Sequence, residues 1–359
     1  MPHDDDGDTR AIVARLRAST QALLARLPES GESMLLLCPG VVVTNETYEY
    51  FQRALSFRDD VDDRFVRCVY GLVHESVHMT QLVSAHFVLE TTIEFANLCT
   101  LANRERKAGA PQEEWLPNLL RDYRKARHRL EASNGGFSTL QVIEAHAVIE
   151  GFRGAFSKHT QEGLVQLVRI AHGLQSDYAE VIGRLLGAFG FAFTLNVAPK
   201  LCWLALQETA PGVAFTNLLL SLEAIDVGPL NDLSACEFCT VFGIDPNNKA
   251  RSLRVKVPAL RDHVIHELFG GYFDAIERET DPEAFLQLVM HPGRAHQVHA
   301  KVRMTDLMPS LTVFADDSYQ MHGPYRDKGW SVAKPLIELA TVTTQTLDWL
   351  DEQSDRFPS

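Results

Sequence analysis

Residues 74–78 have the sequence His74-Glu75-Ser76-Val77-His78, an HExxH motif inside a long apolar stretch that is predicted to be helical. Two histidines four positions apart on an α-helix lie one turn apart on the same face, so both imidazoles can bind one metal ion. Zinc accepts such nitrogen ligands readily. The Glu75 carboxylate cannot easily reach the same coordination position, but it can take a proton from a water molecule that the metal activates. The motif therefore predicts a metal site at His74 and His78 with a general base at Glu75.

Glu144 is the candidate for a third ligand. It lies in the apolar segment 143–151, where a carboxylate is costly to bury unless it is paired or bound to a metal. The small side chains of Ala145 and Ala147 would let this segment approach the motif helix closely. With Glu144, the two histidines would form a His2Glu set that leaves a fourth position open for water, as in catalytic zinc sites.

Each of these residues also has a purely structural alternative. His74 and His78 could be hydrogen-bonded core histidines, and Glu75 could be a helix-face carboxylate without a chemical role. Glu144 could be a buried salt-bridge partner, in which case Glu150 is the next candidate ligand.

Other polar residues are predicted to support a site rather than to bind metal. Gln81 and His86 follow His78 by one and two turns and are expected to be core polar groups or partners of the ligands. His146 is expected to pack or to line the rim of the site. Cys236 and Cys239 form a single CxxC, for which a structural or incidental role is predicted.

Over about residues 71–151 the chain resembles the gluzincin-type zinc metallopeptidases, in which an HExxH helix is completed by a glutamate on a later helix. The resemblance implies zinc bound by His74, His78 and Glu144, with Glu75 as the general base in the hydrolysis of a peptide bond. Residues 34–43 supply little of the sheet that precedes the motif helix in that family.

A carboxylate-bridged di-iron site is an alternative for a helical chain. Glu75 and His78 form one Glu-x-x-His element, but the sequence contains no second one. Asp262 and His266 offer a DxxxH that a different helical oxidase could use. The further carboxylates of a di-iron site would be Glu94, Glu144 and Glu180.

A hydrolase also needs a donor that stabilises the oxyanion of the tetrahedral intermediate. The polar and aromatic segment 316–330 resembles a loop that lines a pocket, although it could equally be a connector. The candidate donors are Tyr272, His322, Tyr325 and Arg326. The other histidines of this part are expected to lie at the surface or at helix ends, namely His263, His266, His291, His296 and His299.

Most of the chain has the periodicity of amphipathic helices, so the predicted fold class is mainly α. Residues 34–38 and 41–43 are predicted to form a small β-hairpin near the N-terminus. Ser138 and Gln141 predict a capping box at the start of the Glu144 helix. Two regions are predicted, a helical metal-binding domain at 1–225 and a mainly helical region at 226–359, which could equally belong to one domain. The predicted helices lie at about 9–27, 45–55, 60–106 (one helix, or two joined by a kink), 113–132, 138–156, 160–172, 176–208, 212–225, 259–279, 282–290, 294–306 and 331–353.

The composition excludes several classes of function. The chain has 359 residues, 45% of them hydrophobic, and a net charge of −13 without a long Lys/Arg run, so nucleic acid is an unfavourable partner. The acidic start does not resemble a secretory signal, and Asn196, Pro199 and Lys200 interrupt the longest apolar stretch, which argues against a membrane span. Six cysteines do not make a disulfide framework.

The sequence thus predicts a cytoplasmic, zinc-dependent hydrolase of an amide or peptide bond. Its substrate would be a peptide or a small molecule, with neither nucleic acid nor a membrane as partner. The alternatives are a helical non-haem iron or di-iron oxidase acting on a small molecule and a non-catalytic helical interaction protein.

Overall fold

The fold is mainly helical, as predicted. The structure is a computed structural model, and it describes residues 6–26, 40–44, 46–55, 63–133, 135–155, 163–164, 176–250, 280–294, 310–322, 325–327 and 329–357. The helices of these residues are α1 (Asp6–Arg26), α2 (Tyr48–Leu55), α3 (Asp63–Ser84), α4 (His86–Ala108), α5 (Gln112–Glu131), α6 (Thr139–Ala155), α7 (Ser176–Asn196), α8 (Ala198–Ala205), α9 (Pro211–Leu222), α10 (Ala235–Val241), α11 (Pro282–Met290) and α12 (Trp330–Arg356). Two 3-10 turns are present at Gly228–Asp232 and Pro292–Arg294. The predicted helices at 160–172, 259–279 and 294–306 lie largely outside the described residues.

Three short strands form a small sheet. β1 (Val41–Val43) pairs in parallel with β2 (Leu311–Val313), and β2 pairs antiparallel with β3 (Tyr319–Met321). The strand predicted at 41–43 is confirmed, whereas its expected partner at 34–38 lies outside the described residues, so the N-terminal hairpin stays a prediction. The hairpin that the structure shows is β2–β3. Its pairing with β1 joins segments far apart in sequence, for which local periodicity carries no signal.

The break between α3 and α4 sets the end of the motif helix. It lies at Ala85, whose backbone is extended (φ −104°, ψ 119°), so the predicted long segment is two helices. The two residues that follow α8 stabilise the break: Leu206 O accepts the Phe87 N–H at 3.1 Å, and Gln207 Nε2 donates to Ser84 O at 3.1 Å. These bonds satisfy backbone groups that would otherwise lose their helical partners.

α6 begins with the predicted capping box. The Gln141 N–H donates to Ser138 Oγ at 3.1 Å, and the Ser138 N–H donates to Gln141 Oε1 at 2.8 Å. The helix is buried along almost its whole length and packs most extensively against α3. A helix that is apolar on all sides is a core helix, and this one carries Glu144 into the interior.

The main hydrophobic core draws residues from both predicted regions, since α3–α9 share it with α11, β2 and α12. The division at 225/226 itself stays a prediction. Within the described residues no single helix is both long and apolar enough to cross a membrane; residues 180–196 and Ala198–Ala205 reach that length and composition only as a pair bent by 85°.

Candidate metal centre

α3 and α6 bring His74, His78 and Glu144 together in the interior. The Nε2 atoms of the two histidines lie 3.1 Å apart, and Glu144 Oε2 lies 3.4 Å from His74 Nε2 and 3.6 Å from His78 Nε2. The three residues are 2%, 1% and 0% exposed. In the part of the chain that the structure describes, no other group of three His, Cys, Asp or Glu side chains has this proximity, and the group could hold a metal ion.

The spacing of the three donor atoms fits a small ion. A tetrahedral site with metal–ligand distances of about 2.1 Å has edges of about 3.4 Å, and the three observed separations span 3.1–3.6 Å. Two imidazoles and one carboxylate are also the donor types that zinc accepts, whereas Ca²⁺ and Mg²⁺ prefer oxygen ligands. Both the geometry and the chemistry of the donor set therefore fit a first-row divalent metal.

Two glycines of α6 make the close approach to α3 possible. A Cβ on Gly151 would lie 2.9 Å from Tyr70 Cε2 and 3.3 Å from His74 Cβ, and a Cβ on Gly154 would lie 2.5 Å from Val73 Cγ2. Both distances to ring and methyl carbons are shorter than packed side chains tolerate. The spacing of Glu144 from the two histidines thus depends on these glycines.

The sequence prediction assigned the close approach to Ala145 and Ala147. Both alanines are fully buried, and Gly151 and Gly154 of the same helix also lie directly against α3. The Gly-x-x-Gly spacing could have indicated this close helix–helix contact, because glycines three apart lie on the same face of a helix.

The electrostatics of the group follow from burial and mutual attraction. Burial alone would lower the pKa of His78, but the Glu144 carboxylate outweighs it and the pKa is raised. Burial alone would raise the pKa of Glu144, but His78 and His74 outweigh it and hold that pKa below its usual range. The carboxylate therefore stays ionised, as a metal ligand must.

Each histidine has a polar partner for its second ring nitrogen. Tyr70 Oη lies 3.4 Å from His74 Nδ1, and Gln81 Oε1 lies 2.9 Å from His78 Nδ1. The Nε2 atoms are left to face Glu144. Gln81 is thus a buried polar partner of the candidate ligand His78. Tyr70 was missed, although its position one turn before His74 was a usable signal.

His146 is fully buried and belongs to the same network. Its Nδ1 lies 3.3 Å from Gln81 Nε2, and its Nε2 donates to the Met290 carbonyl oxygen at 2.9 Å. It thus connects α6 both to the motif helix and to the end of α11.

Glu75 is half-buried on α3 and is not one of the three clustered donors. Its negative charge contributes to the raised pKa of His78, after the larger effects of burial and Glu144. Its role as a general base stays a prediction.

The alternative carboxylates have other partners. Glu150 is buried with His291, whose Nδ1 lies 2.9 Å from Glu150 Oε1, and this carboxylate also accepts the Gly293 N–H at 2.9 Å. Glu94 pairs with Arg129 and Glu180 pairs with Arg184, both in exposed or half-exposed positions. Asp262 and His266 lie outside the described residues.

The structure also describes His86 and the Cys236/Cys239 pair, for which the sequence made separate predictions. His86 follows the break at Ala85 and pairs with Glu90 at 2.9 Å, with 35% of its side chain exposed, so the expectation of a core position was wrong. Cys236 and Cys239 lie on the short helix α10, and burial raises their thiol pKa values to about 12 and about 11. Within the described residues they join no metal-binding group.

His322 is a buried packing residue in the structure. Its Nε2 is 3.0 Å from Thr312 Oγ1, and its ring lies 5.6 Å from that of Phe51. The identity of the oxyanion donor stays a prediction. Tyr272, His263, His266, His296 and His299 lie outside the described residues.

Comparisons of this chain with protein-family models, with curated proteins and with solved structures found no match. Its function must therefore be inferred from the chemistry of the site.

Proposed function

We propose that this protein is a zinc-dependent hydrolase, with zinc bound by His74, His78 and Glu144 and with Glu75 as the general base. One observation carries the proposal: three buried donor atoms of an HExxH helix and its neighbour are spaced at 3.1–3.6 Å. Three protein ligands leave one of four tetrahedral positions for water or substrate, which distinguishes catalytic from structural zinc sites.

In the proposed mechanism, His74 and His78 hold the metal and Glu75 transfers a proton. When bound, zinc supplies a Lewis acid that makes a water molecule acidic enough to attack a carbonyl carbon near neutral pH. Glu75 would accept a proton from the attacking water and pass it to the leaving nitrogen. Glu144 and the two histidines stay fixed by the packing of α3 against α6, so the ligands need little reorganisation.

We propose an amide or peptide bond as the substrate and the cytoplasm as the compartment. The substrate class follows from the resemblance of residues 71–151 to gluzincin-type metallopeptidases. The compartment is proposed from the cysteine content, which does not make a disulfide framework.

A mononuclear iron enzyme is the second candidate, because two histidines and one carboxylate are also the ligands of non-haem Fe(II) oxygenases. We place zinc first because an HExxH helix with a third ligand on a neighbouring helix is the arrangement of catalytic zinc sites. A di-iron site has less support, because Glu94 and Glu180 form ion pairs elsewhere.

Metal analysis of the purified protein tests the first step. We expect about one zinc ion per chain, lost in His74→Ala and Glu144→Ala and retained in Glu75→Gln. Two irons per chain would overturn the zinc assignment, and one iron would support the second candidate.

A turnover assay with a quenched-fluorescence peptide library tests the second step. The zinc-loaded wild type should hydrolyse at least one library member, and Glu75→Gln should lower its kcat by about 100-fold or more with zinc still bound. Equal rates in the two proteins would remove Glu75 from the mechanism.

A further inference from the structure

A chain of buried hydrogen bonds leads from the metal ligand His78 to the C-terminal part of the protein. His78 Nδ1 lies 2.9 Å from Gln81 Oε1, and Gln81 Nε2 lies 3.3 Å from His146 Nδ1 and 2.8 Å from Ile143 O. His146 Nε2 lies 2.9 Å from the Met290 carbonyl oxygen. Gln81 and His146 are fully buried, so water cannot replace these partners.

Only one direction of donation satisfies the whole chain. The Met290 carbonyl can only accept, so His146 Nε2 carries a proton and donates it. The amide nitrogen of Gln81 donates to Ile143 O and to the acceptor Nδ1 of His146. Gln81 Oε1 must then accept from His78 Nδ1–H, so in the neutral form of His78 the Nε2 carries no proton. This is the tautomer in which Nε2 binds a metal.

Residues 290–293, here called the clasp, are fixed to α6 by a second set of bonds. The Glu150 carboxylate accepts from His291 Nδ1 at 2.9 Å and from the Gly293 N–H at 2.9 Å. Glu150 and His291 are 0% and 2% exposed. A Cβ on Gly293 would overlap the Glu150 carbonyl oxygen, so the clasp lies directly on the α6 backbone. The 3-10 turn Pro292–Arg294, which overlaps the end of the clasp, also packs against α3.

We propose that docking of the clasp and binding of the metal are energetically linked through Gln81 and His146, which act as positioning residues for His78. The inference rests on the proposed metal site but not on hydrolysis. A docked Met290 carbonyl selects the His146 tautomer whose Nδ1 accepts from the Gln81 amide. That bond adds to the one from Gln81 Nε2 to Ile143 O and stabilises the Gln81 orientation that accepts from His78 Nδ1–H. Because linkage is reciprocal, a metal that binds the docked form more tightly must also stabilise the docked clasp.

Zinc affinity, measured by competition with a chromogenic chelator, tests the positioning role. Gln81→Met keeps the side-chain length and removes both hydrogen bonds, and it should weaken zinc binding by about 10–100-fold, the usual effect of losing a ligand's polar partner. Thr80→Val is the matched control, because Thr80 is fully buried on the same helix and its hydroxyl donates to the Ser76 carbonyl oxygen at 3.0 Å. Equal affinities in Gln81→Met and wild type would overturn the positioning role.

The second variant leaves His78, Gln81 and His146 untouched. Gly293→Ala should push the clasp off α6 and weaken zinc binding several-fold. Hydrogen–deuterium exchange of the full chain gives the reciprocal measurement: zinc should slow exchange of the Gly293 amide in the wild type and leave it unchanged in Glu144→Ala. An exchange rate that zinc does not alter, together with wild-type affinity in Gly293→Ala, would overturn the linkage.

The outcomes separate this inference from the proposal on which it rests. If the wild type binds no zinc, both fail. If the wild type binds zinc and Gln81→Met and Gly293→Ala bind it equally well, only the linkage fails. Circular dichroism of each variant shows whether it is folded, and a folded Gly293→Ala keeps the test decisive if Gln81→Met does not fold.

Discussion

Gly151 of α6 lies so close to Tyr70 of α3 that a Cβ on the glycine would come within 2.9 Å of the tyrosine ring carbon Cε2. The same Cβ would lie 3.3 Å from His74 Cβ. Tyr70 in turn places its hydroxyl 3.4 Å from His74 Nδ1. One glycine thus affects both the separation of the two helices and the surroundings of a candidate metal ligand.

Gly151→Ala should therefore weaken both folding and metal binding. Overpacking of a tight core contact costs about 1–3 kcal/mol, and we expect a loss of that size in the free energy of unfolding of the metal-free protein. Zinc affinity should also fall, because α6 carries Glu144. Urea denaturation and a chelator competition assay measure the two effects.

Gly183→Ala is the control for this substitution. Gly183 lies exposed on α7, and no described atom is within 4 Å of a Cβ built there. Alanine should raise stability at that position by up to about 1 kcal/mol through helix propensity. A Gly151→Ala protein that is as stable as Gly183→Ala would contradict the tight contact.

The parts of the site that local spacing determines were predictable from the sequence. His74 and His78 are one turn apart on any helix, Ser138 and Gln141 form a local capping box, and the apolar residues around Glu144 indicate a buried carboxylate. These features depend on helix geometry alone.

The parts that depend on tertiary contacts were not predictable. The pairing of β1 with β2 and the bond from His146 to the Met290 carbonyl join residues far apart in sequence. The break at Ala85 is stabilised by Leu206 and Gln207, and alanine itself favours helix. In each case the observed conformation depends on a contact with a residue that is distant in the sequence, and local sequence patterns do not encode such contacts.

Metal binding should stabilise the fold in a concentration-dependent way. Free zinc at 100 times its Kd should add about 2.7 kcal/mol to the free energy of unfolding, and a chelator should remove that gain. Glu144→Gln should abolish the effect, because the variant lacks the carboxylate that faces both histidines. Thermal denaturation across a zinc series gives the measurement.

Glu180→Gln distinguishes the mononuclear site from the di-iron alternative. Glu180 is 59% exposed and pairs with Arg184 at 4.0 Å, so its loss should leave zinc stabilisation unchanged. Loss of metal-dependent stabilisation in this variant would instead assign Glu180 to the metal centre.

A buried ionic cluster fastens α12 to α5. Asp351, with its side chain 3% exposed, accepts from Tyr123 Oη at 2.7 Å and from Arg127 Nη1 at 2.5 Å. Removing one partner of a fully buried pair costs about 3–5 kcal/mol. Because the Arg127 side chain is 29% exposed, we expect Arg127→Gln to lower the free energy of unfolding by about 2 kcal/mol.

Arg121→Gln makes the same change on the same helix at a surface pair. Arg121 and Asp122 are 69% and 51% exposed, and such pairs contribute little to stability. Urea denaturation of both variants checks the prediction, and equal losses would show that burial of Asp351 does not matter.

His322 should make stability depend on pH. Burial, and after it the charge of Arg326, lowers the pKa of this histidine from 6.5 to about 4. The unfolded chain binds a proton below about pH 6.5 and the native protein only below about pH 4, so stability is complete above pH 6.5 and falls as the pH drops toward 4. Between about pH 7.5 and about pH 4.5 the loss from this residue should be about 2.5 kcal/mol.

His322→Gln should remove this part of the pH dependence, because glutamine does not titrate and can still bond to Thr312. Thr312→Val is the control: it deletes the hydroxyl 3.0 Å from His322 Nε2 but leaves the ring buried, so it should lose stability at both pH values and keep most of the pH-dependent loss. Urea denaturation of the metal-free proteins at the two pH values measures all three. If His322→Gln loses as much stability on acidification as the wild type, His322 is not the residue that titrates, since only its burial as a neutral ring links its protonation to unfolding.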